Sequence, residues 1–164
     1  MPETFYHIIE NVWQRVSPDL KKEIVRFWAG TTALTIQAEA LERAEEVVFV
    51  VRNLSRKIVG VCTAKKIFSE RLNNHVYFYR TMIDPGYRRH GLAIDLLIKT
   101  RDFLEGQFKQ EVERESIGIL LTLENEDLNR TFRKAVWPRT GFIFIGYNRN
   151  GHQVRIYYFE GAEI

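Results

Sequence analysis

The chain has 164 residues, of which 45% are hydrophobic and 13% aromatic, enough for a sizeable core and too many for a disordered chain. A formal net charge of +3 is mildly basic; it suits a phosphate-bearing ligand, and the absence of a dense basic stripe argues against a nucleic-acid partner. One cysteine, Cys62, excludes an internal disulfide, and the four histidines (His7, His75, His90, His152) are too scattered to suggest a metal site. No apolar run approaches membrane-spanning length, and the start of the chain lacks the basic-then-apolar pattern of a signal peptide, so a soluble cytoplasmic protein is expected.

In chain order, residues 4–16 fit two patterns. Phe5, Ile8, Ile9, Val12 and Val16 make a helical stripe, while residues 5–9 also read as a short strand; the longer stripe favours a helix. Ser17 is a good N-cap, Pro18 suits the first helical position, and Leu20, Ile24, Val25 and Trp28 give an apolar face that Gly30 ends. Thr31 or Thr32 then caps a further helix to about Glu45, with Leu34, Ala38 and Leu41 inward.

The pattern then changes period. Residues 46–52 are β-branched and aromatic, and residues 57–67 form a second such run after a turn at 53–56, so the two predict a hairpin. A polar turn at 69–74 leads into a third strand, 75–83. Asp84, Pro85 and Gly86 stop it, a short basic loop follows, and apolar residues recur at helical spacing from about Leu92 to Lys109. Residues 116–123 are nearly continuously apolar, as expected of a strand buried on both faces. A short helix is expected over 127–137, ended by Pro138. Residues 141–148 and 152–159 read as two strands joined by Asn150-Gly151, a strong hairpin signal. The order is N-terminal helices, then βββαβαββ, as one domain over residues 1–164, with a helical region 1–45 and a core 46–159.

Strand, glycine loop and helix in that order place backbone N–H groups at a helix start, where anions bind. A dinucleotide fold would need a second glycine in this loop, which has only Gly91 between Arg88 and Ala93.

The loop Arg88-Arg89-His90-Gly91-Leu92-Ala93 resembles the signature of the GCN5-related N-acetyltransferase (GNAT) family, Gln/Arg-x-x-Gly-x-Gly/Ala, through Arg88, Gly91 and Ala93. Pro85 and Tyr87 stand where the family often has proline and an aromatic, and Gly141-Phe142 matches the pair that opens its sixth strand. The resemblance covers roughly residues 46–159. It implies an α/β fold with a mixed sheet, splayed central parallel strands, N-terminal helices that shape the acceptor site, and a C-terminal β-hairpin. It also implies acetyl-CoA as cosubstrate, no metal, and acetyl transfer to a primary amine by direct attack. Backbone amides from Arg89, His90, Gly91, Leu92 and Ala93 would hold the pyrophosphate, with the Arg88 and Arg89 side chains adding charge. The Ile83 backbone would bond the pantetheine amide, and the Thr81 N–H would polarise the thioester carbonyl.

The resemblance under-supplies acid–base groups. Tyr77 stands where part of the family has a glutamate base, and Trp137 where many members have a tyrosine acid. Indole N–H cannot transfer a proton near neutral pH. Glu124, just past the fourth core strand, is a substitute base; an ordinary solvated residue in Glu124-Asn125-Glu126-Asp127 is the alternative. Asn129 stands one residue from the family's CoA-contacting asparagine, at whose position lies Arg130. Tyr77 and Tyr79 share a strand face with Thr81 and read as proton relays or as core residues, and Tyr147, Tyr157 and Tyr158 carry the same ambiguity. A CoA-binding regulatory module without catalysis is the first alternative, a basic nucleic-acid-binding domain the second. The acceptor is not legible, and exposed strand edges leave room for a homodimer.

Overall fold

Among the described residues, seven strands form one mixed sheet in the order β1-β2-β3-β4-β5-β7-β6. They are β1 (Ile8–Asn11), β2 (Val47–Arg52), β3 (Ile58–Ser69), β4 (Asn74–Ile83), β5 (Gly118–Leu123), β6 (Ile143–Tyr147) and β7 (Gln153–Tyr158). The helices are α1 (Pro18–Gly30), α2 (Gln37–Ala44), α3 (Leu92–Lys109) and α4 (Glu126–Thr131). The structure is a computed structural model that describes residues 6–31, 37–88 and 91–164. Two compact units are present, Met1–Lys65 with Arg80–Leu96, and Lys66–Tyr79 with Leu97–Ile164.

In the first unit, α1 begins as its sequence dictates. Ser17 Oγ accepts the Leu20 N–H at 3.2 Å and Pro18 occupies the first turn, where its missing N–H costs nothing. Ile24 and Trp28 are buried against Ala40, Ala44, Val47, Val50, Ile58 and Val61, with Met82 packed at the edge of the cluster. Thr31 closes α1 rather than opening the next helix. Its N–H and its hydroxyl both donate to the Phe27 and Trp28 carbonyls. Helix α2 is seated by Ala40 and Ala44, whereas Ala38 and Leu41 are exposed, so its inward face is one residue pair away from the expected one. Thr32 and Leu34 lie outside the described residues.

The helix expected over 4–16 is absent from the described part of that stretch. Ile8–Asn11 is instead an edge strand, antiparallel to β2 in the register Ile8↔Arg52 to Asn11↔Phe49. Val12 N–H continues the pairing to the Val48 carbonyl at 2.9 Å, and Asn11 Oδ1 then accepts the Trp13 N–H, ending the strand. A short apolar run carries both periods, and pairing with a distant strand decided between them. The expected β2–β3 hairpin is present, antiparallel with a register shift between Val47 and Phe49.

In the second unit, β4 and β5 run parallel, with Tyr77 opposite Ile119 and Phe78 opposite Leu120. Strand β5 is antiparallel to β7 along its whole length, Gly118↔Tyr158 to Leu123↔Gln153. The backbones approach so closely there that a Cβ on Gly118 would sit 2.2 Å from the Tyr157 carbonyl oxygen. Strands β6 and β7 form the predicted C-terminal hairpin, with Gly151 in the left-handed region at φ +77. Val76, Ile117 and Ile156 form the buried centre of this unit.

Helix α4 is shorter than expected. Asn125 caps it, with Oδ1 accepting the Leu128 N–H, but it ends at Thr131 and not at Trp137. Residues 132–137 run irregularly beside β6, with a bridge from Val136 to Ile143. The cause lies downstream. Arg155 is 1% exposed, and its guanidinium donates to the carbonyls of Phe132, Lys134, Ala135 and Phe142. A helix through 132–137 would have committed some of those carbonyls internally.

Candidate functional site

The loop that follows β4 is built from its root outward. The Asp84 N–H donates to the Val59 carbonyl at 2.8 Å, tying the strand end to β3. The Asp84 carboxylate accepts the Gly86 N–H at 2.9 Å, and the Asp84 carbonyl accepts the Tyr87 N–H, which together wind Pro85–Tyr87 into a single 3-10 turn. Tyr87 is held from two sides. Its hydroxyl accepts from Asn53 Nδ2 at 3.2 Å, and the His7 ring meets its ring edge-on at 5.7 Å. Proline, Asx turn and anchored aromatic leave the loop little freedom at its start.

The loop ends on Gly91, at φ +69, and the Gly91 carbonyl accepts the Asp95 N–H to begin α3. A Cβ at Gly91 would meet no described protein atom within 4 Å, so among the described residues it is backbone conformation and not crowding that calls for the glycine. Leu92 is buried and Ala93 exposed. Arg89 and His90 lie outside the described residues. Arg88 folds back on the strand end, with Nε donating to the Ile83 carbonyl at 2.9 Å. Thr81 Oγ1 donates to the Val61 carbonyl at 3.4 Å, which fixes the side chain on β3. Thr81, Ile83, Arg88, Gly91, Leu92 and Ala93 therefore share the first unit, in one continuous strand–loop–helix.

A hollow of about 440 Å³ also belongs to this unit, lined by Glu23, Arg26 and Phe27 of α1, its C-cap Thr31, Lys57 and Asp84. Its charges are mixed. Arg52 grips the Glu23 carboxylate with two bonds of 2.6 and 2.8 Å, and this holds Glu23 below the usual carboxylate range.

Glu124 and Asn129 belong to the second unit. Glu124 is exposed, one residue past the end of β5. Asn129 is turned inward on the protein. Its Nδ2 donates to the Leu123 and Asn125 carbonyls, its Oδ1 accepts the Gln153 N–H at 2.9 Å, and its own carbonyl accepts from Gln153 Nε2. The asparagine expected to touch a ligand thus clamps the end of β5 to the start of β7. Arg130 pairs on the surface with Asp127.

The tyrosines divide by burial. Tyr77 is 2% exposed; loss of water around its phenol and the nearby Glu113 carboxylate push its pKa up to about 12. Tyr157 is likewise pushed up to about 12, first by burial and then by Glu105, which accepts its hydroxyl at 2.9 Å. Both phenols stay protonated at neutral pH. Trp137 is sandwiched, with the Arg155 guanidinium 4.2 Å from its ring centroid and Phe132 edge-on at 6.1 Å. Cys62 is fully buried, its sulfur 3.9 Å from the Phe49 carbonyl oxygen. Among the described residues no three His, Cys, Asp or Glu side chains are grouped so as to hold a metal ion, and no helix is long and apolar enough to cross a membrane.

Sequence reasoning missed Arg155 and Arg88's backward turn. An arginine between apolar neighbours in Val154-Arg155-Ile156 was the available signal for the first; nothing local signals the second.

A search of curated protein sequences finds no match. Solved structures are similar in fold. NAA60 from Arabidopsis thaliana, in complex with acetyl-CoA, superposes with a TM-score of 0.66 at 15% identity, over 95% of this chain and 100% of that one. A GNAT-family acetyltransferase from Streptococcus pneumoniae gives 0.64 at 14% identity, over 93% and 99%. A ribosomal-protein-S5-alanine acetyltransferase from Vibrio fischeri gives 0.57 at 14% identity, over 99% and 98%. The family model described as "Acetyltransferase (GNAT) family" matches residues 5–118, which carry the strand, the basic loop and the helix just described. With that match over most of its length, the chain belongs to the GNAT acetyltransferase family.

Proposed function

We propose that this protein is an acyl-CoA-dependent N-acetyltransferase that moves an acetyl group from acetyl-CoA to a primary amine by direct attack. The observation that carries the reading is the continuous run from Thr81 to Ala93, a strand end, an anchored turn and a left-handed glycine at a helix start. Backbone N–H groups at such a start favour a pyrophosphate, and no described residue crowds the main chain at Gly91, where a phosphate would approach. In this reading Arg88, Arg89, His90, Gly91, Leu92 and Ala93 hold the pyrophosphate. The Ile83 backbone bonds the pantetheine amide, and the Thr81 N–H stabilises the oxyanion that forms when the amine adds to the thioester. One such donor is worth roughly 10²–10³ in rate. The tetrahedral adduct then collapses, the C–S bond breaks, and CoA leaves as thiol once a proton reaches sulfur.

A primary alkylamine with pKa ~10.4 is neutral in only about one molecule in 10³ at pH 7, so a base must take its proton. Among the candidates of the sequence, the buried phenols stay protonated and Glu124 is the exposed carboxylate, so Glu124 is assigned that role. Asn129 is taken as a CoA contact, as the resemblance implies. The work is placed in the cytoplasm, and the chemistry calls for no metal.

One observation favours a second reading, a CoA-binding module without turnover. The positions that usually carry the base and the acid hold a buried tyrosine and a tryptophan stacked on arginine. Release of free thiol from acetyl-CoA, followed across a panel of small amines, peptides with free N-termini and lysine peptides, separates the two. Turnover on any of them establishes the enzyme. Binding of acetyl-CoA with no turnover on the whole panel establishes the module.

A further inference from the structure

The guanidinium of Arg88 is folded onto the strand that precedes it. Its Nε lies 2.9 Å from the Ile83 carbonyl oxygen and Nη2 lies 3.5 Å from Met82 Sδ. The acceptor it has taken is the backbone carbonyl at the end of β4, on the residue whose backbone the reading above pairs with the pantetheine amide. A ligand amide arriving there meets a charged donor already in place, and a charged donor is a stronger partner for a carbonyl than a neutral amide is.

We propose that Arg88 is a displaceable latch, which holds the Ile83 carbonyl in the free protein and yields it to the pantetheine amide as its guanidinium turns to the pyrophosphate. This inference rests on the reading of residues 81–93 as the acetyl-CoA site. Arg88 is exposed and its stem is flexible, so the turn costs little packing. The exchange favours the ligand because the guanidinium leaves a neutral carbonyl for a doubly charged pyrophosphate, the acceptor its planar fork fits best. A ligand that carries pantetheine and no phosphate offers no such destination. It must displace the latch without compensation, so the protein discriminates against short thioesters.

Two ligands and two variants test this. Acetyl-CoA binding is measured by calorimetry, and S-acetylpantetheine binding by NMR titration into the millimolar range, on the full chain. Arg88→Ala removes both latch and charge. Arg88→Lys keeps the charge, but its ammonium lies one bond farther along the side chain than Nε and lacks the planar fork, so it fits the Ile83 carbonyl less well. Both variants are expected to bind S-acetylpantetheine roughly three- to tenfold more tightly than the wild type, the size of one net hydrogen bond. Arg88→Ala is expected to bind acetyl-CoA more weakly, and Arg88→Lys to fall between it and the wild type, because the charge is kept and the fork is lost. Ligand-free melting temperatures show that each variant is folded. If the variants bind S-acetylpantetheine no better than the wild type, or if no form binds it while acetyl-CoA binds, the latch is wrong. If the wild type fails to bind acetyl-CoA, the reading of the site itself falls.

Discussion

Arg155 lays its guanidinium 4.2 Å from the centroid of the Trp137 ring, and is 1% exposed while doing so. Its donors are spent on Gln153 Oε1 and on the carbonyls of Phe132, Lys134, Ala135 and Phe142. Burial pushes its pKa below the usual arginine value, and it stays charged because carbonyl dipoles on several sides replace water. The pairing explains two departures at once. It holds 132–137 out of helix α4, and it turns the residue at the usual acid position into a stacking platform.

Replacing Arg155 with methionine should therefore cost far more than a surface arginine would. Four carbonyls and Gln153 Oε1 lose a charged donor together, and one hydrogen bond to a charged group alone is worth about 1.5–3 kcal/mol. A loss of about 3 kcal/mol or more in urea unfolding is expected for Arg155→Met, with Arg155→Lys recovering less than half, because an ammonium neither forks nor stacks. A loss below about 1 kcal/mol would show that the segment 132–137 is held by other means.

That pairing also marks where local sequence signals ran out. Ser17 and Pro18 announced α1 because a cap is chemistry between neighbours, and Asn150-Gly151 announced the last hairpin for the same reason. Helix α3 matched its expected span, 92–109, because its apolar spacing, its glycine start and the preceding proline all agree. The stretch 4–16 misled because Ile8 and Ile9 suit a helix stripe and an edge strand equally, and β2, some forty positions on, decided it. Residues 132–137 misled because the group that unwinds them is Arg155, on another strand. The site shows the same division. The run of strand end, proline turn, glycine and helix at 81–93 was legible as a motif; the backbone carbonyls that Asn129 and Arg88 hold were not, since each is decided by which groups lie within reach.

The seat of α1 on β2 should respond to acid. Glu23 and Arg52 form a two-bonded pair, and the hydrogen bonds with Arg52 hold the Glu23 carboxyl below its ordinary value. A depressed carboxyl stabilises the fold above its unfolded pKa, near ~4.3, and that contribution is lost as pH falls through the lower folded value. Glu23 is partly exposed, so the pair is screened and contributes about 0.5–1 kcal/mol. Unfolding free energy measured from pH 7 down to pH 3 should fall less steeply in Glu23→Gln than in the wild type. Parallel curves would mean the pair contributes nothing.

Glu124 carries the heaviest chemical assignment on the least structure. If it takes the proton of the attacking amine, Glu124→Gln should lower kcat by roughly 10²–10⁴-fold. The KM for acetyl-CoA should hardly change, because the side chain is not assigned to that ligand. The melting temperature should also hold, since Glu124 is exposed. Tyr77→Phe is the companion measurement. A buried phenol with pKa pushed up to about 12 is no base at neutral pH, so its loss should leave kcat within about threefold. The opposite pattern, a silent Glu124→Gln and a crippled Tyr77→Phe, would move the proton path to the strand.

Gly91 separates a structural from a ligand-binding role with one methyl group. At φ +69 an alanine is strained by roughly 1 kcal/mol, which should appear as a small fall in melting temperature. The methyl itself would touch no described protein atom within 4 Å. A loss of ligand affinity larger than this loss of stability would therefore mark Gly91 as a ligand-facing position. If a pyrophosphate packs against this main chain, Gly91→Ala should weaken acetyl-CoA by tenfold or more, and inorganic pyrophosphate used as a competitor should weaken in parallel. S-acetylpantetheine, which has no phosphate, should bind the variant as it binds the wild type. An equal loss for all three ligands would point to a displaced loop rather than a blocked phosphate, and no loss for any would remove the pyrophosphate from Gly91.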